Sequence, residues 1–429
     1  MKSFLKTLVT KILTYEAQML LRKAKPTIIA VTGSVAKTST KDAIYTVLSA
    51  SRHARKSVQS YNSEIGVPLA VLGLQSGWQN PLVWLKNCVE GFFAALSPEG
   101  YPEMLVLEVG VDRPGDMERL TKWIQPDVVV LTHLPDVPSH IEFFDSNPEA
   151  ITEEKMKLVH ALKTDGVLVY NKDDARAEKI AEETLQKSVS YSRYAPSDFF
   201  GQGDEIQYEH GKAVGMEFVL QHRDGREKVT VADSVGVQHV YNCAAAVAVG
   251  SLFEITPQSA AKALSLEYAV PPGRMRLIPG LKETTIIDDS INASPLPTQN
   301  ALRTLKRMTG VHRRIAVLGD MLELGRASSD AHEEIGKYVA ESADILFTVG
   351  IRARGIAEGA LAHGLSPKKI FQYESTERAA TELEGMLEAG DVILVKGSQR
   401  MRMERIVEEI MKNPQDAGSL LVRQGEGWS

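Results

Sequence analysis

At 429 residues the chain exceeds what one ordinary core accommodates, so two or three domains are expected, each with its own hydrophobic interior. Hydrophobic residues make up 43% and charged residues 24%, and a net charge of −6 argues against a broad nucleic-acid surface, so no nucleic-acid partner is expected. The two cysteines, Cys88 and Cys243, lie in apolar settings without C-x-x-C spacing and indicate neither a disulfide framework nor a zinc site.

The first 25 residues place Leu5, Leu8, Val9, Ile12, Leu13, Ala17, Leu20 and Leu21 at helical spacing, with Lys2, Lys6, Lys11, Arg22 and Lys23 among them. This is an amphipathic basic helix. Interruption by Lys6, Lys11 and Glu16, with no small-residue cleavage site after it, argues against a signal peptide. Docking on the next domain is the expectation, with weak membrane-surface contact as the alternative. No apolar run in the chain approaches the ~20 residues of a membrane span.

Thr27 to Lys41, TIIAVTGSVAKTSTK, runs a β-branched strand into a small-residue turn and then a helix, the layout of a phosphate-binding loop. Backbone N–H groups of such a turn point at phosphate oxygens, and the helix N-terminus adds partial positive charge. Lys37 would reach the outer phosphates and the Thr38 hydroxyl would sit on Mg²⁺. The strict G-x-x-x-x-G-K-[ST] pattern, however, needs glycines where Val31 and Ala36 stand, so an ordinary strand-turn-helix corner remains open.

Thr27–Val31, Met104–Val109, Val128–Thr132 and Gly166–Asn171 then read as strands, several almost wholly apolar, as buried parallel strands are. Between about Ser192 and Val235 alternating polar and apolar residues with Gly and Asp turns predict an appended antiparallel β-layer. An Ala-rich helix over Tyr241–Leu252 and another over Pro257–Leu266 precede Val270-Pro271-Pro272-Gly273, a turn that breaks helix and strand alike. The alternation restarts beyond it with strands at Thr285–Asp289, Arg314–Leu318, Ile345–Val349, Lys369–Gln372 and Val392–Lys396. Helices such as His332–Ser342 and Thr376–Glu388 separate them, and the tail after Asn413 reads as loosely ordered. The fold class is therefore α/β: an amphipathic helix over 1–25, a mainly parallel domain over 26–270 that carries the candidate phosphate loop and the appended β-layer, and a smaller Rossmann-like domain over 271–429.

Several segments can carry chemistry. Glu108 and Asp112 lie at and beyond a strand end, where Glu108 either holds Mg²⁺ or is a simple surface acid. His140-Ile141-Glu142-Phe143-Phe144 with Glu153-Glu154-Lys155 brings an imidazole, carboxylates and a lysine together. On residue type alone Lys155 reads as a surface lysine paired with Glu, unless its amine reacts with CO₂ to give an anionic carbamate. In the second half, PPGRM at Pro271–Met275, DDSINASP at Asp288–Pro295, GDMLELG at Gly319–Gly325 and VKGSQRMRME at Val395–Glu404 form polar turns next to strands.

With these four motifs the chain resembles the Mur ligases, ATP-dependent amide ligases that build the cell-wall peptide, and within them the branch that adds D-alanyl-D-alanine. Supporting segments in the same order are SYNSEIGVPLA at Ser60–Ala70, LEVGVDRPGD at Leu107–Asp116 and HVYNCAAAVAVG at His239–Gly250, so the resemblance covers Lys25 to Lys412. It implies that Gly33, Ser34, Lys37, Thr38 and Ser39 bind ATP phosphates, that Thr38 and Glu108 hold one Mg²⁺, and that His140 with carbamylated Lys155 holds a second. Asn242 would contact adenine, and Arg274 and Asp289 would close over the nucleotide. Asn292, Asp320, Glu323, Lys396 and Ser398 would lie where the amino acid or dipeptide binds.

The implied reaction is carboxylate activation through an acyl phosphate, followed by amine attack, in a cytoplasmic monomer. Domain closure about Pro271–Gly273 would assemble the site.

The departures are Ala36 in place of the usual glycine, Lys157 in place of a common glutamate, and Val240 in place of the usual Asn. Only 32 residues precede Gly33, fewer than the ~50 a domain needs, so the family's UDP-gripping N-terminal module is expected to be absent. A Mur-like or folylpolyglutamate-synthase-like ligase for another acid, and a nucleotide-binding module without ligase activity, are the alternatives.

Overall fold

The computed structural model describes residues 3–57, 61–78 and 80–425; Lys2 of the first helix and Ser60 of SYNSEIGVPLA lie outside them. The first half comprises α1 (Ser3–Ala24), β1 (Thr27–Thr32), α2 (Lys37–Ser49), β2 (Ala54–Lys56), α3 (Gly66–Leu72), α4 (Pro81–Leu96), β3 (Met104–Glu108), α5 (Asp116–Thr121) and β4 (Val128–Leu131). It continues with α6 (Pro148–His160), β5 (Val167–Asn171), α7 (Ala175–Glu183), β6 (Lys187–Ser192), β7 (Phe199–Glu209), β8 (Lys212–His222), β9 (Gly225–Ala232), α8 (Gln238–Ser251) and α9 (Pro257–Glu267).

Its strands form one nine-stranded sheet in the order β2-β3-β1-β4-β5-β6-β7-β8-β9. The antiparallel strands expected after Ser192 extend this same sheet at its edge: β6 pairs with β7 in parallel at Tyr191↔Phe199 and Ser192↔Phe200, and β8 and β9 follow as antiparallel partners. β1 and β3 bury all or nearly all their side chains because helices cover both faces. On one face Ile29, Val31 and Val106 pack with Ile44 and Val47 of α2 and the alanines of α8. On the other, Ile28, Ala30 and Leu105 pack with α1, α3, α4, α5, α6 and α7. The first helix docks as expected, burying Val9, Leu13, Ala17 and Leu20 against α3 and α4.

The second half comprises β10 (Arg276–Pro279), β11 (Thr285–Asp289), α10 (Pro295–Arg307), β12 (Arg314–Gly319), α11 (Ser328–Ser342), β13 (Ile345–Val349), α12 (Arg354–Ala362), β14 (Ile370–Tyr373), α13 (Thr376–Met386), β15 (Val392–Lys396), α14 (Glu404–Ile410) and α15 (Ala417–Leu420). Its six strands run in the order β10-β11-β15-β12-β13-β14, parallel except for β10 at one edge. α10, α11 and α12 cover one face, and α13 and α14 the other.

The tail departs from expectation. Ala417, Leu421 and Val422 are buried, and the Arg423 side chain, 3% exposed, pairs with buried Glu404. Arg423 also donates to the Ser290 and Ile291 carbonyls, so a non-local ion pair orders a segment whose local sequence carries no such signal.

Candidate active site

β1 is the third strand of the first sheet, with β3 on one side and β4 on the other, so the chain leaves its C-terminal end at the point where connections diverge. The turn that follows is tightly held. Ser34 N–H donates to the His133 carbonyl at 2.8 Å, and the Thr132 hydroxyl donates to the carbonyls of Val35 at 2.8 Å and Thr32 at 3.1 Å. Gly33 is obligatory here: its φ is 138°, and a Cβ would come within 2.0 Å of Thr132 Oγ1. Ala36 occupies the left-handed region at φ 63° and ψ 8°, at the N-terminus of α2, without a side-chain cap. The substituted position is one at which the backbone does require positive φ.

Lys37 opens α2. Burial lowers its amine from the ordinary range, Glu108 and Asp112 oppose that shift, and Arg274 of the second half adds to it. These groups therefore share one electrostatic site. Glu108 ends β3 in register with Val31 and is 2% exposed. Asn62 donates to its Oε1 at 3.3 Å, while Oε2 has no partner among the described residues.

Lys155 lies in α6 and is 3% exposed. Burial holds its amine well below the ordinary value, the nearby Lys37 cation pushes the same way, and Asp112 and Glu154 pull against them. Glu154 is occupied by Lys157 Nζ at 2.7 Å and the Met117 N–H at 2.9 Å, so the lysine expected to pair with a surface glutamate is a buried amine instead. The neighbouring Lys157 makes that pair.

His140 also has positive φ, 68°, which turns its ring toward the second half. Its Nδ1 lies 2.6 Å from Glu323 Oε2, its Nε2 is 3.7 Å from Asp112 Oδ1, and Phe143 stacks on it. Glu142 N–H donates to the Glu323 carbonyl at 3.4 Å and Arg326 N–H to Ser146 Oγ at 3.2 Å, so the GDMLELG turn sits directly on the HIEFF turn.

Beneath α2, Asn242 of α8 is fully buried; it accepts from the Thr40 hydroxyl at 3.0 Å and leaves its amide nitrogen unpartnered. One turn earlier, His239 is equally buried, has both ring nitrogens unpartnered, and is lowered by burial to about 4. Tyr268 donates to the Ser39 carbonyl at 3.2 Å.

In the second half, Asp289 and Lys396 face each other at the ends of β11 and β15. Lys396 Nζ donates to Asp289 Oδ2 at 2.6 Å and to the Asn292 carbonyl at 2.8 Å. Burial raises Asp289, with Lys396 and Arg274 opposing. Ser398 accepts from Leu322 N–H at 2.8 Å and its own N–H donates to the Asp320 carbonyl, while Asp320 Oδ1 takes the Ala353 N–H at 2.8 Å. Asn292 is exposed and its side chain accepts from Ala293 N–H.

The fold thus brings Lys37, Glu108, Lys155 and Arg274 into one electrostatic site, with His140 and Glu323 joined at its edge. Asp320, Lys396 and Ser398 are engaged by neighbouring loops of the second half. Asn62, His239, Tyr268 and Arg423 were not singled out from sequence. Asn62 and His239 lie inside quoted motifs, whereas Tyr268 and Arg423 act through contacts distant in sequence. No group of three or more His, Cys, Asp or Glu positioned for a metal occurs among the described residues. Mg²⁺ commonly takes only one or two carboxylates and completes its shell with phosphate and water.

Residues 91–250 match the Mur ligase middle domain, and residues 273–399 the Mur ligase glutamate ligase domain. The UDP-N-acetylmuramoyl-tripeptide--D-alanyl-D-alanine ligase of Bacillus subtilis (strain 168) is 31% identical over 403 residues, which span 93% of this chain and 79% of that protein. The crystal structure of MurF ligase from Thermotoga maritima in complex with ADP superposes with a TM-score of 0.77 at 26% identity, covering 95% of this chain and 84% of that one. Folylpolyglutamate synthase of Mycobacterium tuberculosis complexed with ADP and AMPPCP shares the fold, with a TM-score of 0.64 at 16% identity over 92% of this chain and 95% of that one. Two domain models in chain order and a relative of this identity over nearly the whole length establish that the chain belongs to the Mur ligase family.

Proposed function

We propose that this chain is an ATP-dependent carbon–nitrogen ligase that adds D-alanyl-D-alanine, or a closely similar amine, to the carboxylate of a UDP-linked muramoyl tripeptide. The observation that carries this reading is the convergence of Lys37, the free oxygen of Glu108 and the buried Lys155 amine beneath a turn of the second half. We divide the chain accordingly into the helix 1–25, an ATP-binding domain 26–270 and an acceptor domain 271–429. As an ATP consumer it would act in the cytoplasm, as a monomer.

In this reading Gly33, Ser39 and the N-terminus of α2 direct backbone N–H groups at ATP phosphates, Ser34, whose N–H is held by His133, offers its hydroxyl, and Lys37 offsets their charge. Thr38 and Glu108 would hold one Mg²⁺, and His140 with Lys155 a second. Mg²⁺, when bound, neutralises phosphate oxygens. The unpartnered amide of Asn242 and the neutral ring of His239 suit the adenine edge.

Two buried lysines within electrostatic reach repel each other. A carbamate on Lys155 converts that repulsion into attraction, and a depressed amine has the neutral form that CO₂ requires. The substrate carboxylate then attacks the γ-phosphorus, expelling ADP. The amine attacks the acyl carbon, and the tetrahedral adduct loses phosphate and a proton to leave the amide. Arg274 and Asp289 approach the nucleotide from the second domain, and the turns bearing Asn292, Asp320, Glu323, Lys396 and Ser398 shape the acceptor pocket.

Phosphate release measured with ATP, UDP-linked tripeptide and D-alanyl-D-alanine tests the assignment. Release that requires all three is the expected result. ATP binding without release for any acid and amine would leave only a nucleotide-binding module, and release with a different acid would reassign the substrate. A bicarbonate dependence of turnover that disappears in Lys155→Ala tests the carbamate.

A further inference from the structure

Large apolar side chains left in solvent are concentrated in one place. Of the seventeen among the described residues, eleven belong to α1, α4 and the turn bearing Trp78. α4 presents Leu82, Leu85, Val89, Phe92, Phe93 and Leu96 outward, with Leu82 74% and Phe93 63% exposed, while Trp84, Gly91 and Ala95 form its buried side. Its outward surface is therefore as apolar as its inward one, unlike a helix that only covers a core.

α1 adds a second stripe. Leu5, Leu8, Ile12 and Tyr15 are exposed at helical spacing beside the buried stripe Val9, Leu13, Ala17 and Leu20. Glu16 lies against Gly91, where a Cβ would come within 2.3 Å of its carboxylate, and Lys23 Nζ donates to the Ala95 carbonyl at 2.9 Å. Both helices thus run in the same sense. Ile12 precedes Glu16 by four residues and Lys23 by eleven, so the exposed stripe follows the line of α1 that meets α4. The two stripes form one surface.

Charge decides what covers it. Lys6, Lys11 and Arg22 of α1 are exposed, whereas its only acid, Glu16, is 5% exposed inside the helix pair. On α4, Lys86 and Glu90 cancel at 3.5 Å. In a chain of net charge −6, α1 therefore exposes basic charge and no acid beside this apolar surface. A second copy related by two-fold symmetry would bring one set of these basic residues against the other. An anionic lipid surface accepts both the apolar side chains and the cations, with Trp78 and Tyr15 suited to the headgroup level. No helix among the described residues is long and apolar enough to cross a membrane, so contact would be in the interfacial plane.

We propose that the outward faces of α1 and α4 dock this enzyme on an anionic lipid bilayer. The test is co-sedimentation of the full chain with phosphatidylcholine vesicles, with and without phosphatidylglycerol, at low and high salt. The chain is expected to sediment with the anionic vesicles and to be released by salt. Leu85→Ser with Phe92→Ser and Phe93→Ser is expected to weaken partitioning at least about tenfold, and Lys6→Glu with Lys11→Glu by about 25-fold or more, at roughly fivefold per lysine. The charge-reversal pair decides the matter if the triple variant unfolds. Absence of sedimentation with anionic vesicles overturns the proposal, as does sedimentation indifferent to both variants. A lipid-free dimer abolished by the triple variant would also overturn it, making the surface an interface between copies.

Discussion

At the ends of β1 and β3 polar atoms are buried without protein partners, whereas at the ends of β12 and β15 the residues assigned to the acceptor site are engaged. Glu108 Oε2, the Asn242 amide, Thr32 Oγ1 and both nitrogens of His239 are unpartnered in the first cluster. In the second, Lys396, Ser398 and Asp320 are tied to Asp289, Leu322 and Ala353. On that side Asp288 Oδ2, Ser290 Oγ and Thr348 Oγ1 lack partners among the described residues, and burial raises Asp288 to about 6. Each unpartnered buried group costs about 1–3 kcal/mol, a cost tolerated where a ligand supplies the partner. On the proposed assignment the difference divides the labour: the first cluster receives ligand, while the second holds its loops in shape around one.

The sharpest break of this comparison is Lys37→Ala, for which turnover should fall about 10³-fold or more while the thermal midpoint stays near wild type. Unchanged turnover would remove the phosphate loop from the site. Lys396→Ala acts on the other cluster and leaves Asp289 buried and unpaired, so a loss of about 3 kcal/mol is expected in denaturant unfolding. A loss below about 1 kcal/mol would mean that the pair is not holding the loops.

Glu16 supplies a control, a buried orphan outside both clusters, whose pKa burial raises from 4.5 to about 7. Because the folded state binds this proton more tightly than the unfolded one, stability should decline from pH 4.5 to about 7 and level off above it. Glu16→Gln should therefore gain on the order of 2 kcal/mol at pH 8 and little at pH 4. An equal gain at both pH values would contradict the assignment.

The smallest effect belongs to Ala36→Gly. Removing a Cβ at φ 63° should stabilise the fold by about 1 kcal/mol and tighten ATP binding severalfold, measured by thermal unfolding and calorimetric titration. Weaker ATP binding would show that the methyl group serves the loop.

Much of this architecture was legible. β1, β3 and β4 are apolar runs, β-branched in β1 and β4, whose burial on both faces leaves a signal within four to six residues. The turn proposed to bind phosphate stands out because Gly33, Lys37 and Thr38 come straight after such a strand. α4 was not singled out, since Leu85 and Phe93 outside mirror Trp84 and Ala95 inside and leave no polar face to mark a period. β10 is a four-residue edge strand ending in Pro279. The fixed tail depends on Arg423 meeting Glu404 and the Ser290 carbonyl, and the His140–Glu323 contact joins distant turns. Partners of this kind are set by topology and leave no mark in local sequence.

The most direct measurement is the Mg²⁺-dependent affinity for ATP in Glu108→Gln and in Ser398→Ala, determined by calorimetry on the full chain. Glu108→Gln should lose at least about tenfold in affinity, one charge-assisted contact, while Ser398→Ala stays within about twofold of wild type. The reverse order, with Ser398→Ala impaired and Glu108→Gln unaffected, would contradict the division of the cleft into a ligand-receiving half and a loop-holding half.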